Sequence, residues 1–199
     1  DVCSSDLLDA ERIEIYTDVD GVMTADPRIV KSASVIDIIS YDEVFQLADQ
    51  GSKVIHPRAV EYAREGNIPI MIKNTLNDTI GTLINSVGDR KRRRLITSIT
   101  NHDDRIQVTI NLDDNKGNDR YNDVLEILAA NKISLDLINI FPRQQVFTIS
   151  KAAKDIVKDI FGKLDLKYTL IDNCSTIALV GAGMKGIPGV MAKIYKTLS

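Results

Sequence analysis

The sequence predicts an α/β fold, a layered and mostly parallel sheet, followed by α+β units of ferredoxin-like element order. Three observations carry that expectation. Short apolar runs of strand length alternate with amphipathic stretches up to Ile84, the pattern of a sheet with helices on its faces. The texture then breaks at a polar stretch, 85–94, ending in Arg90-Lys91-Arg92-Arg93-Arg94. Beyond it the order reads strand, strand, helix, strand, strand, helix.

In the first part, Arg12 to Thr17 alternates as a strand does, with Ile13 and Ile15 on one face. A turn marked by Gly and Pro follows at Asp18 to Pro27, and Val35 to Ile39 is a second run of strand length. Ser40 is placed to cap a helix, with Glu43 as its capping-box partner. Val44, Leu47 and Ala48 then share one helical face. Pro57 favours the first turn of a second helix, which ends at Gly66. Ile68 to Ile72 reads as a buried strand.

In the second part, Ile106, Val108, Ile110 and Leu112 alternate cleanly. Tyr121, Val124, Leu125, Leu128 and Ala129 form an apolar helical face. Leu135 to Ile140 and Val146 to Ile149 are the next strands, and Ala153, Ile156, Val157, Ile160 and Phe161 a further helical face. A weak repeat follows. Thr176 to Val180 stands before a helix bearing Val190, Met191, Ile194, Tyr195 and Leu198, as Ile106 to Leu112 stands before the earlier one. A half-copy cannot bury its own exposed face, so the chain is expected to be a fragment.

Composition sets limits on function. The chain has 199 residues, 44% hydrophobic and 27% charged, with net charge −3, which gives no global pull toward nucleic acid or anionic membrane. No apolar run approaches the roughly 20 residues of a membrane span. Cys3 and Cys174 lie too far apart in sequence to suggest a disulfide framework, and the start lacks the pattern of a signal peptide. The expectation is a reduced, cytoplasmic protein with no nucleic-acid and no membrane partner.

The densest chemical signal is the stretch from Ile15 to Arg28, a strand that delivers carboxylates, a hydroxyl and an arginine onto a tight turn. Such turns are where open α/β sheets bind nucleotides and phosphates. A calcium loop counted from Asp18 fails at both fixed positions, with glycine fourth and Ile29 twelfth. A haloacid-dehalogenase-like phosphatase would use Asp18 as nucleophile and Asp20 as general acid/base, but no later acidic pair follows an apolar strand to hold its magnesium. The third reading is a solvated turn built from Asp and Gly for its geometry alone.

Two further stretches bear on the choice: Gly51-Ser52-Lys53-Val54-Ile55-His56-Pro57-Arg58-Ala59, and Asn74-Thr75 with Gly81-Thr82-Leu83-Ile84. With Tyr16 to Arg28, Ile39 to Glu43, Ile68 to Ile70 and Gly181 to Val190, they give a chain that resembles the aspartate kinases of the amino-acid kinase superfamily, over about residues 8 to 199. The resemblance implies the C-terminal half of an amino-acid kinase doubly wound sheet in 8–84, a basic linker in 85–94, a first ACT module in 95–172 and the start of a second in 173–199. It implies transfer of the γ-phosphoryl of ATP to the side chain of L-aspartate, with Mg2+ bridging the phosphates. By family match, Thr17 and Asp18 contact the nucleotide, Met23 and Arg28 line its site, and Lys53 reaches the phosphates. The aspartate-binding residues of the family stand before Tyr16 in segments that this sequence does not contain, so the fragment alone is expected to be inactive. Residues 1–7 do not match the family. A regulatory ACT subunit without catalysis is the alternative.

The remaining motifs have plainer readings. His56 is expected to open a helix beside Pro57 rather than act as a base. His102 has no partner histidine for a metal site, and no metal site is expected. The basic run lacks interleaved aromatics and reads as a solvated linker. Gly181-Ala182-Gly183-Met184-Lys185-Gly186 matches the dinucleotide fingerprint by letter, but its helix starts near Pro188 and no acid follows at the required distance. By resemblance it is the strand-to-helix loop of the last ACT module, with Gly186, Pro188 and Gly189 offering backbone N–H groups to a lysine or threonine effector. Asp136 is the matching contact for an effector amino group in the first module. There the family's Asp-x-Pro-Gly is replaced by Lys116-Gly117-Asn118-Asp119, and a glutamine by Ile140. ACT pairing implies a homo-oligomer.

Overall fold

The computed structural model describes residues 10–90, 94–111, 119–184 and 186–198, with side chains in the helix beginning at Asp119 described from Asp123 onward. Residues 1–9 with the expected boundary at residue 8, Lys91 to Arg93 of the basic run, Leu112, Lys116 to Asn118, the Tyr121 side chain and Lys185 lie outside the described residues.

The element order is β1 (Ile13–Thr17), β2 (Ile38–Ser40), α1 (Tyr41–Asp49), α2 (Pro57–Glu65), β3 (Ile70–Asn74), β4 (Thr82–Asn85), β5 (Ser98–Asn111), α3 (Asp119–Ala130), β6 (Ile138–Phe141), β7 (Gln144–Ser150), α4 (Lys154–Lys163), β8 (Tyr168–Val180) and α5 (Val190–Leu198). The chain folds as two compact units. One holds residues up to Asn101 together with those from Ile177 onward, and the other holds His102–Thr176.

The first unit is built on a sheet of order β1-β3-β4-β2. β1 runs parallel to β3 in the register Ile13↔Ile70 to Thr17↔Asn74, and β2 parallel to β4. β3 and β4 are antiparallel, with Ile72 opposite Thr82. The sheet is therefore mixed, with two parallel pairs and one antiparallel pair. The connection 75–81 holds no helix, and a parallel return would need a longer crossover. Because β2 and β4 run against β1 and β3, the ends of β1 and β3 share one sheet edge with the start of β4. β2 carries the chain away from that edge. The nine residues of α1 bring it back over about 13 Å, so Gly51 to Lys53 return to the edge where β1 ends.

The predicted helix signals are realised. Ser40 Oγ accepts the Glu43 N–H and the Glu43 carboxylate accepts the Ser40 N–H, a complete capping box. His56 caps α2 by accepting the Arg58 N–H at Nδ1 (3.2 Å), with Pro57 in the first turn. The core gathers Ile39, Val44, Leu47, Val60, Ile70 and Ile72, all buried. Val35 and Ile36 do not extend β2 as expected. Their backbone is used instead against the turn, with Ile36 N–H donating to Val22 O (2.8 Å) and Val35 bridged to Met23.

The second unit has sheet order β6-β7-β5-β8, the arrangement of a ferredoxin-like unit. Ile106, Val108 and Ile110 of β5 and Phe147 and Ile149 of β7 pack with α3 and α4. The Phe161 and Tyr168 rings meet edge to face at 5.0 Å. The two strands expected before α3 are one strand of 14 residues. Its first residues belong to the other unit because their hydrogen bonds go there: Ser98 Oγ donates to Met23 O (2.7 Å), and Ile99 N–H to Thr24 O (2.9 Å). Ala129 and Ile156 are exposed rather than buried as expected, while Ile127 packs on the core. Met191, Tyr195 and Leu198 of α5 are exposed.

Candidate functional site

The ends of β1 and β3 and the start of β4 frame one polar edge of the first unit. Thr17 and Asp18 leave β1 there, and Thr17 Oγ1 donates to Asp18 Oδ1 (3.1 Å). Thr75 locks the neighbouring strand end, its N–H and hydroxyl both donating to Thr17 O (2.8 and 3.0 Å).

The turn beyond Asp18 is held at two points. Asp20 Oδ1 accepts from Asn74 Nδ2 (2.7 Å) and Asn77 Nδ2 (2.9 Å). Those amides, Asn77 foremost, hold its carboxyl below the usual aspartate range. A carboxyl kept ionised in this way is poorly suited to donate a proton, so the geometry does not favour Asp20 as a phosphatase acid. Two residues on, the Val22 N–H donates to the buried Thr82 Oγ1 (2.8 Å).

The turn then reaches Arg28, which Asp26 grips in a fork: Nε to Oδ1 3.0 Å and a terminal nitrogen to Oδ2 2.6 Å. The Asp26 carboxyl is lowered mainly by that side-chain contact. The Arg28 side chain is nevertheless 86% exposed, leaving donors of the guanidinium fork for an anion. Met23 is half-buried. Lys53 is exposed. Thr100 Oγ1 donates to Gln50 O (3.2 Å), so Ser98 to Thr100 border both Met23–Thr24 and the end of α1. Thr17 at the end of β1 and the loops carrying Asp18, Met23 and Lys53 thus lie around one edge. Among the described residues no three His, Cys, Asp or Glu side chains group as metal ligands would.

The four candidate effector residues divide between the units. Asp136, in the second, is ion-paired with Arg105 at 2.7 Å. The Arg105 Nε and Thr148 Oγ1 are buried without a hydrogen-bond partner. Gly186 and Gly189, in the first, have positive φ of 74° and 84° and open space where a Cβ would stand; Pro188 lies exposed between them. Earlier in that loop the glycines serve packing. A Cβ on Gly181 would lie 2.4 Å from Leu95 O, and one on Gly183 2.5 Å from Arg94 O.

Glu43 does more than its capping motif announced. Its buried carboxylate accepts from Thr97 Oγ1 (2.6 Å), Ser40 Oγ (2.7 Å), Ala182 N (3.2 Å) and Ser40 N (3.3 Å). Thr97 and Ala182 are far from it in sequence, so no local pattern could have disclosed the contact. Thr82 was also missed, although Gly-Thr opening a strand is a visible signal.

The family model of the amino acid kinase family matches residues 4–74, so the family match begins before residue 8, the start expected from the sequence. Aspartokinase 1 of Bacillus subtilis is 38% identical over 96% of this chain and 48% of its own length. The aspartokinase of Corynebacterium glutamicum is 33% identical, with 96% and 48% covered. The chain spans about half the length of the curated relatives it matches. Among solved structures, aspartate kinase of Clostridium acetobutylicum superimposes with a TM-score of 0.87 at 28% identity, covering 98% of this chain and 47% of that one. E. coli aspartokinase III in complex with aspartate and ADP gives 0.79 at 25% identity, covering 98% and 45%.

Proposed function

Because the chain belongs to the aspartokinases of the amino-acid kinase family, we propose that its first unit carries the nucleotide-binding part of a kinase that phosphorylates L-aspartate. The reaction is ATP + L-aspartate to ADP + 4-phospho-L-aspartate. The observation that supports this reading is the fixed turn from Asp18 to Arg28 at the edge where β1 and β3 end and Gly51 to Lys53 return. Phosphoryl transfer depends on positioning and on charge neutralisation. Arg28 and Lys53 supply permanent cations for phosphate oxygens, and Thr17 and Asp18 supply polar contacts to the nucleotide. Met23 offers a thioether to an adenine or ribose face. Magnesium entering with the nucleotide would supply further charge neutralisation for the phosphates, and Asp18, exposed at the strand end, would offer it a carboxylate.

The second unit is assigned amino-acid sensing for this enzyme, with pairing of such units making a homo-oligomer. Arg105 bears on which amino acid. A lysine ammonium at Asp136 must displace a guanidinium already paired there, so lysine is expected to act weakly on this unit.

The test is calorimetric titration of the chain with a magnesium-bound, non-hydrolysable ATP analogue. Wild type should bind, and Lys53→Ala, by losing one charge-assisted phosphate contact, should bind about 10-fold or more weakly. Equal binding by both proteins refutes the assignment of Lys53. No binding by wild type refutes the nucleotide site.

A further inference from the structure

We infer that Thr82 is a positioning residue for the nucleotide turn: its buried hydroxyl sets the backbone of Gly21 and Val22, and through it the affinity for ATP. The inference rests on the nucleotide reading of the Asp18 to Arg28 turn and adds to it a residue on another strand.

Thr82 opens β4 and is fully buried. Its hydroxyl is 60 positions from Val22 in sequence, yet accepts the Val22 N–H at 2.8 Å. Gly21 lies directly against it. A Cβ built on Gly21 would stand 2.5 Å from Thr82 Oγ1, and Gly21 has a φ of +144° that side chains rarely adopt. The turn is thus seated on the hydroxyl as closely as a backbone can be. Gly81 makes the seat possible. It holds φ +82°, and a Cβ there would come 2.0 Å from Ile72 O. Glycine alone lets β4 begin that tightly against β3 and deliver the hydroxyl beneath the turn.

The second fixing point is independent of the first. Asp20 is held by Asn74, the last residue of β3, and by Asn77 just beyond it. Between the two, Asp20 to Val22 is clamped from both strands that flank the edge, and Thr17 and Asp18 stand just before the clamp. A buried N–H that loses its acceptor is costly, so without the hydroxyl the turn relaxes to conformations that solvate Val22. Nucleotide must then select the ordered turn from a minority population, and apparent affinity falls by the fraction ordered. If about one molecule in ten keeps the turn, affinity falls about tenfold.

The experiment compares Thr82→Val, which keeps the shape and removes the hydroxyl, with Thr82→Ser, which keeps the hydroxyl and removes a methyl. Each is titrated with the magnesium-bound imido analogue of ATP, and thermal midpoints are measured alongside. Ile84→Val, on the same strand and fully buried, reports what loss of packing alone does. The expected result is about tenfold weaker binding by Thr82→Val, near-wild-type binding by Thr82→Ser, and unchanged affinity for Ile84→Val despite a lower midpoint. Binding by folded Thr82→Val within twofold of wild type overturns the inference while leaving the nucleotide site standing. Equal weakening by Ile84→Val overturns it too, since the effect would then be general destabilisation. If Thr82→Val does not fold, Thr82→Cys takes its place, a thiol being a weak acceptor of similar size, with the same two outcomes. Failure of wild type to bind overturns the nucleotide reading and the inference with it.

Discussion

Replacing Glu43 by glutamine should loosen the first unit far more than a change of one atom type suggests. The carboxylate receives four donors from three chain segments: the Ser40 N–H and hydroxyl, the Thr97 hydroxyl and the Ala182 N–H. A glutamine keeps one oxygen for Thr97 and Ala182 but turns an NH2 toward the Ser40 N–H. One part-buried donor then lacks its acceptor, at about 1–3 kcal/mol, and the surviving bonds lose their charge assistance at about another 1 kcal/mol. The expected loss is therefore about 2–4 kcal/mol at pH 7. Urea unfolding of the chain measures it, with hydrogen exchange over Tyr41–Asp49 assigning the transition to the first unit. The effect carries a pH signature. Burial works to raise the Glu43 carboxyl, but hydrogen bonds from Thr97, Ser40 and the Ala182 N–H outweigh it and hold the group below the ordinary value of 4.5. A depressed folded value stabilises fully above the unfolded value and is lost as pH falls through the folded one. The gap between wild type and Glu43→Gln should thus be widest near neutrality and close progressively below about pH 4.5. A gap under about 0.5 kcal/mol at pH 7, or one that persists unchanged well into acid, would refute the reasoning.

Gly21→Ala should lower the thermal midpoint of the first unit and weaken ATP-analogue binding together, because the new Cβ meets Thr82 Oγ1 at 2.5 Å in a conformation that side chains avoid; a stability loss below about 0.5 kcal/mol would count against the close seat. Gly162→Ala, in α4 where a Cβ meets nothing within 4 Å, should instead stabilise the second unit by about 0.5–1 kcal/mol in chemical denaturation, the helix propensity difference. Asp136→Ala strips the partner from Arg105, whose Nε is already buried without one, and should cost about 1–3 kcal/mol by the same measurement; replacing Arg105 as well, with methionine, should recover part of that loss.

Local signals in the sequence were legible where the cause is local. The Ser40–Glu43 capping box, the His56–Pro57 helix start and the alternation of Ile106, Val108 and Ile110 act within a few residues, and the structure realises them. The ferredoxin-like order was legible for the same reason. What escaped was set by distant backbone. The stretch expected to hold two strands became the single strand β5, because Ser98 to Thr100 find their partners at Met23, Thr24 and Gln50. The antiparallel β3–β4 pair escaped because Thr82–Asn85 was not read as a strand, and the connection before it is too short for a crossover. At the candidate site, Asp18, Arg28 and Lys53 were singled out by residue type and resemblance. Thr82 and Asn77 were not, since their part is to hold a turn that lies elsewhere in the chain.

The outermost strand of the second unit bears on handling the protein. β6 lies at the end of its sheet and pairs with β7 alone among the described strands. Ile138, Ile140 and Phe141 on it are all about half exposed or more, and Leu137 just before it is also exposed. A bare edge of apolar residues with no charge is the template on which further strands add, and such edges seed aggregation. Asp136 and Arg143 flank it as gatekeepers, but Asp136 is already committed to Arg105. Unless another surface covers this edge, concentrated or gently warmed samples should lose material through ordered precipitation. A lysine at Ile140, facing solvent, is the simplest way to keep the chain in solution.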